Sequence, residues 1–223
     1  MITLASFLLA PRPCIVVASN GRSGSTLTYA ALRKARNRRF WWKKQGFPFD
    51  ARLKDAPLEP GTVTKTHDFP DALRGRDNVK VVFCFGSARD SALSVYSAME
   101  RYGPDWIADH FYHLHAKGGF DDLFRYDVLR QAEQVRAWAT FEDVPVLCVH
   151  YDAIWRRQKD IAEFTGLNFT PPERKERAPK QIPQDLLRAA SEVYDPIDAV
   201  LAELPEMFLS SKEMAGAVSK LPV

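Results

Sequence analysis

Residues 14–26 read Cys-Ile-Val-Val-Ala-Ser-Asn-Gly-Arg-Ser-Gly-Ser-Thr, and this stretch decides the fold. Its first six residues form a near-continuous apolar run rich in β-branched side chains, which predicts a buried parallel strand. A turn with two glycines follows, and helical spacing begins at Gly24. A strand, a glycine-rich turn and a helix N-terminus together form an anion site, because backbone N–H groups and the helix dipole both attract negative charge.

The same turn carries side chains that suit a phosphate. Gly21 and Gly24 allow the backbone to curl round an anion, and Arg22 adds a planar, permanently charged donor. Ser25 and Thr26 add hydroxyl donors. The turn is not a Walker A motif, because two residues rather than four separate the glycines and no Lys precedes Ser25. A plain turn joining a strand to a helix remains the alternative.

Helical spacing separates four short, β-rich apolar runs. We predict strands at residues 14–19, 62–66, 79–85 and 144–150. We predict helices at residues 24–36, 87–101, 106–115, 121–140, 153–165 and 184–204, with a break or kink in the last near Pro196. Basic, aromatic and proline residues predict loops at 40–60 and 170–183. Strands that alternate with helices indicate an α/β fold with a parallel sheet covered on both faces. No boundary divides residues 1–223 into two domains.

Composition excludes several classes of protein. The chain has 223 residues, of which 46% are hydrophobic and 26% charged, as in an ordinary globular domain. The net charge of +3 does not indicate a nucleic-acid binder. The three cysteines, Cys14, Cys84 and Cys148, lie inside predicted strands and are expected to be buried, reduced thiols. No apolar run approaches about 18 residues, and residues 1–10 lack the basic start of a signal peptide, so we expect a cytoplasmic protein.

Lys65 and His67 lie at the end of the second predicted strand. Side chains alternate faces with period two, so both point the same way if the strand persists that far. The carboxyl ends of parallel strands form a ligand crevice, where a cation can hold a phosphate and a neutral imidazole can take a proton. A solvated strand end is the alternative.

The third predicted strand leads into a helix that carries a row of serines. Ser87 and Asp90 resemble a capping box, and Ser87, Ser91 and Ser94 lie on one helical face. That face is directed either toward the crevice or toward water.

Two further clusters have simpler explanations. His110, His113 and His115 form an H-x-x-H-x-H pattern, but His115 leaves the shared helical face and no Cys or carboxylate completes a zinc set. One of these histidines could instead contact an acceptor. Residues 38–44 mix basic and aromatic side chains, which could stack on sugars or bases, hold an anion, or cap a helix C-terminus.

Taken together, three of these segments resemble the sulfotransferase family that uses 3′-phosphoadenosine-5′-phosphosulfate (PAPS). Gly21-Arg22-Ser23-Gly24-Ser25-Thr26 is similar to its 5′-phosphosulfate loop, which reads Pro-Lys-Ser-Gly-Thr-Thr in many members and has bacterial variants with Arg and Ser. Lys65-Thr66-His67 resembles its Lys-Thr-His, and residues 82–96, with Arg89 and Ser94, resemble its strand and helix that bind the 3′-phosphate. Residues 147–154 and 161–167 resemble a later strand and helix. The resemblance spans about residues 13–168 and implies a P-loop-like three-layer sandwich.

The resemblance also implies an activity. A sulfuryl group would move from PAPS to a hydroxyl or amine of a small-molecule or carbohydrate acceptor, by in-line displacement and without a metal. By this resemblance His67 is the general base, Lys65 bridges donor and leaving group, and Arg22 stabilises the charge on the leaving phosphate.

The chain departs from the family where the 3′-phosphate is held. Gly86 occupies the position of the family's arginine, and the family's C-terminal Arg-Lys-Gly loop is not visible. Arg89 could replace the missing arginine as the cation that binds the 3′-phosphate. A second candidate is the group of basic residues near the position of the missing loop, which are Arg174, Lys175 and Arg177. A small-molecule P-loop kinase, with Asp68 and Asp90 as the nearest carboxylates, and a sulfotransferase-like nucleotide-binding protein without catalysis are the alternative functions.

Overall fold

The structure, a computed structural model, describes residues 12–46, 52–174 and 181–222. Its strands are β1 (Cys14–Ser19), β2 (Val63–Thr66), β3 (Val79–Phe85), β4 (Val146–His150) and β5 (Met207–Leu209). They form one sheet in the order β2-β1-β3-β4-β5, parallel except for β5, which pairs antiparallel with β4.

Helices connect and cover the strands. The α-helices are α1 (Ser25–Arg39), α2 (Ala88–Leu114), α3 (Gln131–Ala139), α4 (Ala153–Arg156), α5 (Gln158–Thr165), α6 (Gln184–Glu203) and α7 (Ala215–Val218). Short 3-10 turns lie at Pro70–Leu73, Phe120–Asp122 and Lys212–Met214.

The sheet separates two apolar layers, because successive strand residues point to opposite faces. On one face Val16 and Phe83 pack in a cluster that includes side chains of α2, α3 and α6. On the other face Val17 packs with Leu32 of α1 and Ile161 of α5. The fold is therefore an α/β sandwich with a mostly parallel central sheet between two helical layers, as the alternation of strands and helices predicted.

The strand predictions are confirmed for β1 and β3, and β2 and β4 are slightly shorter than predicted. The sequence did not indicate β5, because three residues are too few to show a period. The predicted helix at 121–140 is wrong over its first half. That stretch is a loop closed by hydrogen bonds, in which Tyr194 Oη donates to Leu123 O and Ala132 N donates to Asp127 Oδ2 at the start of α3.

The break between the predicted helices 87–101 and 106–115 is confirmed, because α2 consists of two helices that meet in a kink at Gly103, where φ is 80° and ψ is 179°. Two further helix predictions are wrong. The predicted helix 153–165 divides into α4 and α5 around Arg157. Helix α6 runs without a break through Pro196, where a break or kink was expected.

The three cysteines are buried and unpaired, as predicted. Burial raises the pKa of Cys84 to about 12, so its thiol stays protonated at neutral pH. In the parts of the chain that the structure describes, no helix is long and apolar enough to cross a membrane.

The strand order places a crevice at the carboxyl end of β1. From β1 the chain goes first to β2 on one side and then crosses to β3 on the other. Such a reversal of direction leaves an opening outside the strand ends, where ligands of open α/β sheets bind. The predicted anion turn follows β1 and therefore lies at this opening.

Candidate functional site

The turn between β1 and α1 has an unusual backbone. Gly21, Arg22 and Gly24 have positive φ values of 87°, 52° and 90°. Left-handed residues in a turn before a helix direct successive backbone N–H groups into a concave surface that binds anions. The predicted anion loop thus has the backbone that its glycines suggested.

Neighbouring elements hold this loop closely. A Cβ at Gly24 would lie 2.8 Å from Ile154 Cδ1 and 2.9 Å from Tyr151 Cδ2. A Cβ at Gly21 would lie 3.1 Å from Leu114 Cδ2, at the end of α2. Both glycines are therefore required by close approach as well as by their φ angles.

Polar side chains hold the loop from within. Ser23 Oγ donates to Asn20 Oδ1 over 2.6 Å, and Ser91 Oγ of α2 donates to Gly21 O over 3.0 Å. Asn20 is fully buried, and among the described residues its Nδ2 finds no acceptor. A buried donor without an acceptor costs free energy, so a loop that keeps one there fits an anionic ligand.

Lys65 and His67 lie together beside the loop, although β2 ends at Thr66, one residue before His67. His67 Nδ1 lies 3.0 Å from the carbonyl oxygen of Ser19 and 3.1 Å from Ser19 Oγ. A carbonyl only accepts hydrogen bonds, so the geometry assigns the ring proton to Nδ1 and the lone pair to Nε2. His67 Nε2 lies 3.4 Å from Lys65 Nζ.

The surroundings keep the His67 ring neutral. Burial, and secondarily the positive charge of Lys65, lower the pKa of His67 to about 3. A neutral imidazole with its lone pair on Nε2 is the protonation state that a general base requires.

One hydroxyl joins this base to the anion loop. Ser19 Oγ donates to Ser25 Oγ over 2.8 Å and accepts from Gly21 N over 3.3 Å, while it also contacts His67 Nδ1. Gln134 Nε2 of α3 donates to His67 O over 2.7 Å and fixes the backbone of the base. The base and the loop therefore form one connected, buried network.

Helix α2 closes the other side of this network. Arg22 Nε donates to Ser94 Oγ over 3.0 Å, so two predicted donor-binding residues touch each other. The Arg22 guanidinium lies 5.6 Å from the ring of Trp106, which stacks on His110 at 4.7 Å. The His110 ring in turn meets the His67 ring edge to face at 5.6 Å.

A cleft of about 800 Å³ opens from the loop toward β3 and β4. It lies between the segments that follow three parallel strands and is lined by Arg22, Ser23, Gly86, Ser87, Asp90, Ser91, His150, Tyr151, Asp152 and Arg174. Its volume is in the range of small-molecule and cofactor sites. Thr26, also predicted to bind the donor, lies exposed on the first turn of α1.

Gly86 lies close to the turn that follows β4. It is the position at which the resemblance to sulfotransferases would lead one to expect an arginine. A Cβ at Gly86 would lie 3.1 Å from Tyr151 Cβ, and Tyr151 N donates to Phe85 O over 2.7 Å. The turn after β4 therefore packs against the residue that follows β3. A large side chain at position 86 would displace that turn.

Arg89 and the N-terminus of α2 are engaged by α6. Arg89 forms an ion pair with Asp195 at 3.0 Å. Asp198 Oδ1 accepts from Ala88 N over 2.5 Å, and its Oδ2 accepts from Ser87 Oγ over 2.7 Å. The helix N-terminus that a 3′-phosphate was expected to approach already faces a carboxylate of the protein.

Arg174 lines the cleft from the opposite side. It donates to Asp152 Oδ1 over 2.5 Å, and its guanidinium lies 5.4 Å from the ring of Trp155. The other two basic residues predicted to replace the family's loop, Lys175 and Arg177, lie outside the described residues.

The remaining histidines and Asp68 serve other contacts. Asp68 Oδ1 lies 2.6 Å from His115 Nε2 and 3.0 Å from Arg52 Nη1, and Leu53 N donates to Asp68 Oδ2 over 2.6 Å. His113 pairs with Asp109. Among the described residues, no group of three or more His, Cys, Asp or Glu side chains is placed to hold a metal ion.

Comparison with known proteins leaves the family open. No protein-family model matches the chain, and no curated protein matches it significantly. The functional conclusion therefore rests on the geometry of the crevice.

Three residues of this site were not predicted. Ser19 and Gln134 position the base, and Asp198 binds the start of α2. Ser19 had a visible signal, a polar residue at the carboxyl end of the central strand. Gln134 and Asp198 lie on helices far along the chain, and their contacts depend on how those helices pack.

Proposed function

We propose that the protein is a PAPS-dependent sulfotransferase with a P-loop-like sulfotransferase fold. The observation that carries the proposal is the pairing of a neutral His67 with Lys65 beside the anion loop. His67 Nε2 lies 3.4 Å from Lys65 Nζ, and Ser19 links the same ring to the loop. A base and a cation next to a phosphate-type loop suit transfer of a charged group to a hydroxyl or amine.

The roles of the side chains follow from their chemistry. PAPS supplies a sulfuryl group attached to its 5′-phosphate. His67 Nε2 takes the acceptor's proton as the acceptor atom bonds to sulfur and the sulfur–oxygen bond to the 5′-phosphate breaks. Lys65, Arg22 and the loop N–H groups stabilise the negative charge that develops on the leaving phosphate.

The cleft beyond the loop suits the nucleoside part of the donor. Its volume of about 800 Å³ is sufficient for a nucleotide, and it begins at Arg22 and Ser23. Arg174 lines the cleft, whereas Arg89 is not among the residues that line it. We therefore assign the 3′-phosphate to Arg174, together with its neighbours in the sequence, Lys175 and Arg177.

The kinase alternative has less support. Of its two nearest carboxylates, Asp68 binds Arg52, His115 and Leu53 N, which leaves Asp90, a residue that lines the cleft, as the one candidate of the two for a magnesium ligand. A nucleotide-binding protein without catalysis would explain the cleft and the loop, but it gives no reason to bury a neutral histidine beside a lysine.

Two measurements test the proposal. The first is the melting temperature of the protein with 3′,5′-ADP, with 5′-AMP, or with ATP and Mg²⁺. A ligand that binds only the folded state raises the melting temperature by mass action. We expect 3′,5′-ADP, added without a metal ion, to give the largest increase. The second is sulfuryl transfer from PAPS to a panel of phenols, alcohols, sugars and amines. We expect His67→Ala to lower turnover about 100-fold or more and to leave 3′,5′-ADP affinity nearly unchanged.

Phosphoryl transfer from ATP would assign the protein to the kinases. Tight 3′,5′-ADP binding with no transfer to any acceptor would favour the non-catalytic alternative, and wild-type turnover in His67→Ala would remove His67 as the base.

A further inference from the structure

The charges of the chain are divided very unevenly along the sequence. Residues 1–49 contain nine Lys or Arg residues and no Asp or Glu, although the whole chain has 31 basic and 28 acidic residues. Such asymmetry within a nearly neutral chain indicates a local anionic partner. Apart from Arg22, the proposed function uses none of these basic residues.

The basic residues surround two exposed tryptophans. Trp41 and Trp42, in the turn after α1, are 71% and 67% exposed and lie edge to face with ring centroids 5.9 Å apart. Lys43 and Lys44 follow them and are also exposed. We call these four residues the tryptophan turn.

The tryptophan turn is held in place by the residues on both sides of it. Gln45 N donates to Asn37 Oδ1 over 2.8 Å, and Gln45 pairs with the backbone of Val63 through its side-chain oxygen and nitrogen. Arg36 donates to Gly61 O over 3.0 Å and also to Lys43 O. A fixed turn that exposes two indoles is a surface feature that packing among the described residues does not explain.

A basic groove continues from the turn along α1. It measures about 730 Å³ and is lined by Arg33, Lys34, Arg38 and Lys44 beside Trp41. Helix α1 is about 22 Å long, and the anion loop lies at its other end. The groove and the tryptophan turn are therefore separate from the crevice.

Arg12, the first residue that the structure describes, lies beside the tryptophan turn. The Arg12 guanidinium lies 4.9 Å from the ring of Phe40, which directly precedes Trp41. Residues 1–10, Met-Ile-Thr-Leu-Ala-Ser-Phe-Leu-Leu-Ala, contain no charged side chain.

We propose that the tryptophan turn and the basic groove bind the surface of an anionic lipid bilayer. Tryptophan side chains suit the level of the lipid headgroups, because the ring is apolar and its N–H is polar. Lysine and arginine side chains in the groove meet the headgroup phosphates, and each basic residue near an anionic surface strengthens binding by about fivefold. The edge-to-face indoles favour a bilayer over a nucleic acid, for which ring faces would stack on bases.

The experiment is sedimentation of the full chain with vesicles of phosphatidylcholine alone or with phosphatidylglycerol. We expect binding only to the vesicles that contain phosphatidylglycerol, and weaker binding at high salt. Trp41→Ala/Trp42→Ala should weaken partitioning by about tenfold or more, since it removes the inserted apolar area. Lys43→Ala/Lys44→Ala should weaken it by about 25-fold.

Two matched variants should bind like the wild type. Tyr112→Ala removes an aromatic side chain that is 61% exposed, and Lys54→Ala/Lys159→Ala removes two exposed lysines elsewhere. Melting curves confirm that each variant is folded.

Failure to bind phosphatidylglycerol vesicles, or equal losses in the control variants, would overturn the proposal. Binding to a DNA oligonucleotide without vesicle binding would assign the surface to an anionic polymer and overturn it as well.

Discussion

On the β1–β2 side of the crevice, the polar groups of the predicted base are bound within the protein. Ser19 holds His67 Nδ1, Gln134 holds His67 O, and both His67 and Lys65 are buried. On the β3–β4 side lies an open cleft of about 800 Å³, where Asp198 occupies the start of α2 and Arg174 pairs with Asp152. We call the β1–β2 side the closed side, because hydrogen bonds within the protein already hold its polar groups. We call the β3–β4 side the open side, because its cleft is open.

This difference indicates how the two sides would act on a ligand. A base whose tautomer and position are fixed in advance needs little rearrangement during the reaction. On the open side, a second phosphate would have to separate Arg174 from Asp152 or displace Asp198 from α2. We therefore expect substitutions on the closed side to change structure and rate, and those on the open side to change ligand selectivity.

The largest effect is expected for Gly24→Ala, on the closed side. The new Cβ would meet Ile154 Cδ1 at 2.8 Å and would force alanine to a φ of 90°. Backbone strain and overpacking together should lower the free energy of unfolding by about 3 kcal/mol and weaken 3′,5′-ADP binding about 100-fold. Urea unfolding and titration calorimetry measure the two effects.

Gly166→Ala separates the two causes. Gly166 has a φ of 66°, but a Cβ there meets nothing within 4 Å, so only backbone strain remains. We expect this control to lower the free energy of unfolding by about 1–2 kcal/mol and to leave ligand binding unchanged. Equal behaviour of the two variants would mean that the close contacts at Gly24 are unimportant.

The second effect is a dependence of stability on pH. An unfolded histidine takes up a proton near pH 6.5, whereas burial keeps the pKa of His67 at about 3. The unfolded state therefore binds the extra proton as the pH falls from about 6.5 to about 3, and the free energy of unfolding decreases by up to about 1.4 kcal/mol per pH unit. His67→Gln should reduce this slope in urea unfolding between pH 7 and pH 5. An unchanged slope would contradict the buried, neutral base.

On the open side, replacing Arg174, Lys175 and Arg177 together by Ala should weaken 3′,5′-ADP binding about tenfold. Binding of 5′-AMP should barely change, because we propose that the loop after β1 holds its phosphate. Arg89→Ala is the matched control, since Arg89 pairs with Asp195. A selective loss in Arg89→Ala alone would move the 3′-phosphate to α2.

The smallest effect is expected for Asp198→Asn. It removes the negative charge at the start of α2, and the free energy of unfolding should fall by about 1 kcal/mol. If the carboxylate excludes a phosphate from that helix, the variant should bind 3′,5′-ADP more tightly than the wild type does. Calorimetry that shows equal affinities would mean that no phosphate approaches Ala88 N.

The closed side of the crevice could largely be predicted from the sequence. Strand β1 is a run of buried apolar residues, and Gly21 and Gly24 mark the turn that follows. The period of two predicted that Lys65 and His67 point the same way. These features are local, so a short stretch of sequence determines them.

The open side could not be predicted, because it depends on contacts between distant segments. The spacing of apolar residues in 121–140 resembles that of a helix. The structure instead has a loop over the first half, in which the side chains of Leu123 and Val128 are buried and Leu123 O accepts a hydrogen bond from Tyr194 Oη. The sequence could not indicate that Tyr151 fills the space beside Gly86, or that Asp198 reaches α2. Packing between helices decides these contacts.

The central position of β1 has a consequence for synthesis of the protein. Its partners in the sheet, β2 and β3, both come later in the chain, and β3 ends only at Phe85. At about 5–20 residues per second, a ribosome needs several seconds after completing β1 to complete β3. During that interval the strand Cys14–Ser19, which is buried throughout in the fold, has no neighbouring strand to pair with its backbone. The nascent chain therefore exposes an unpaired apolar strand for several seconds, and a chaperone that binds short apolar strands would act there.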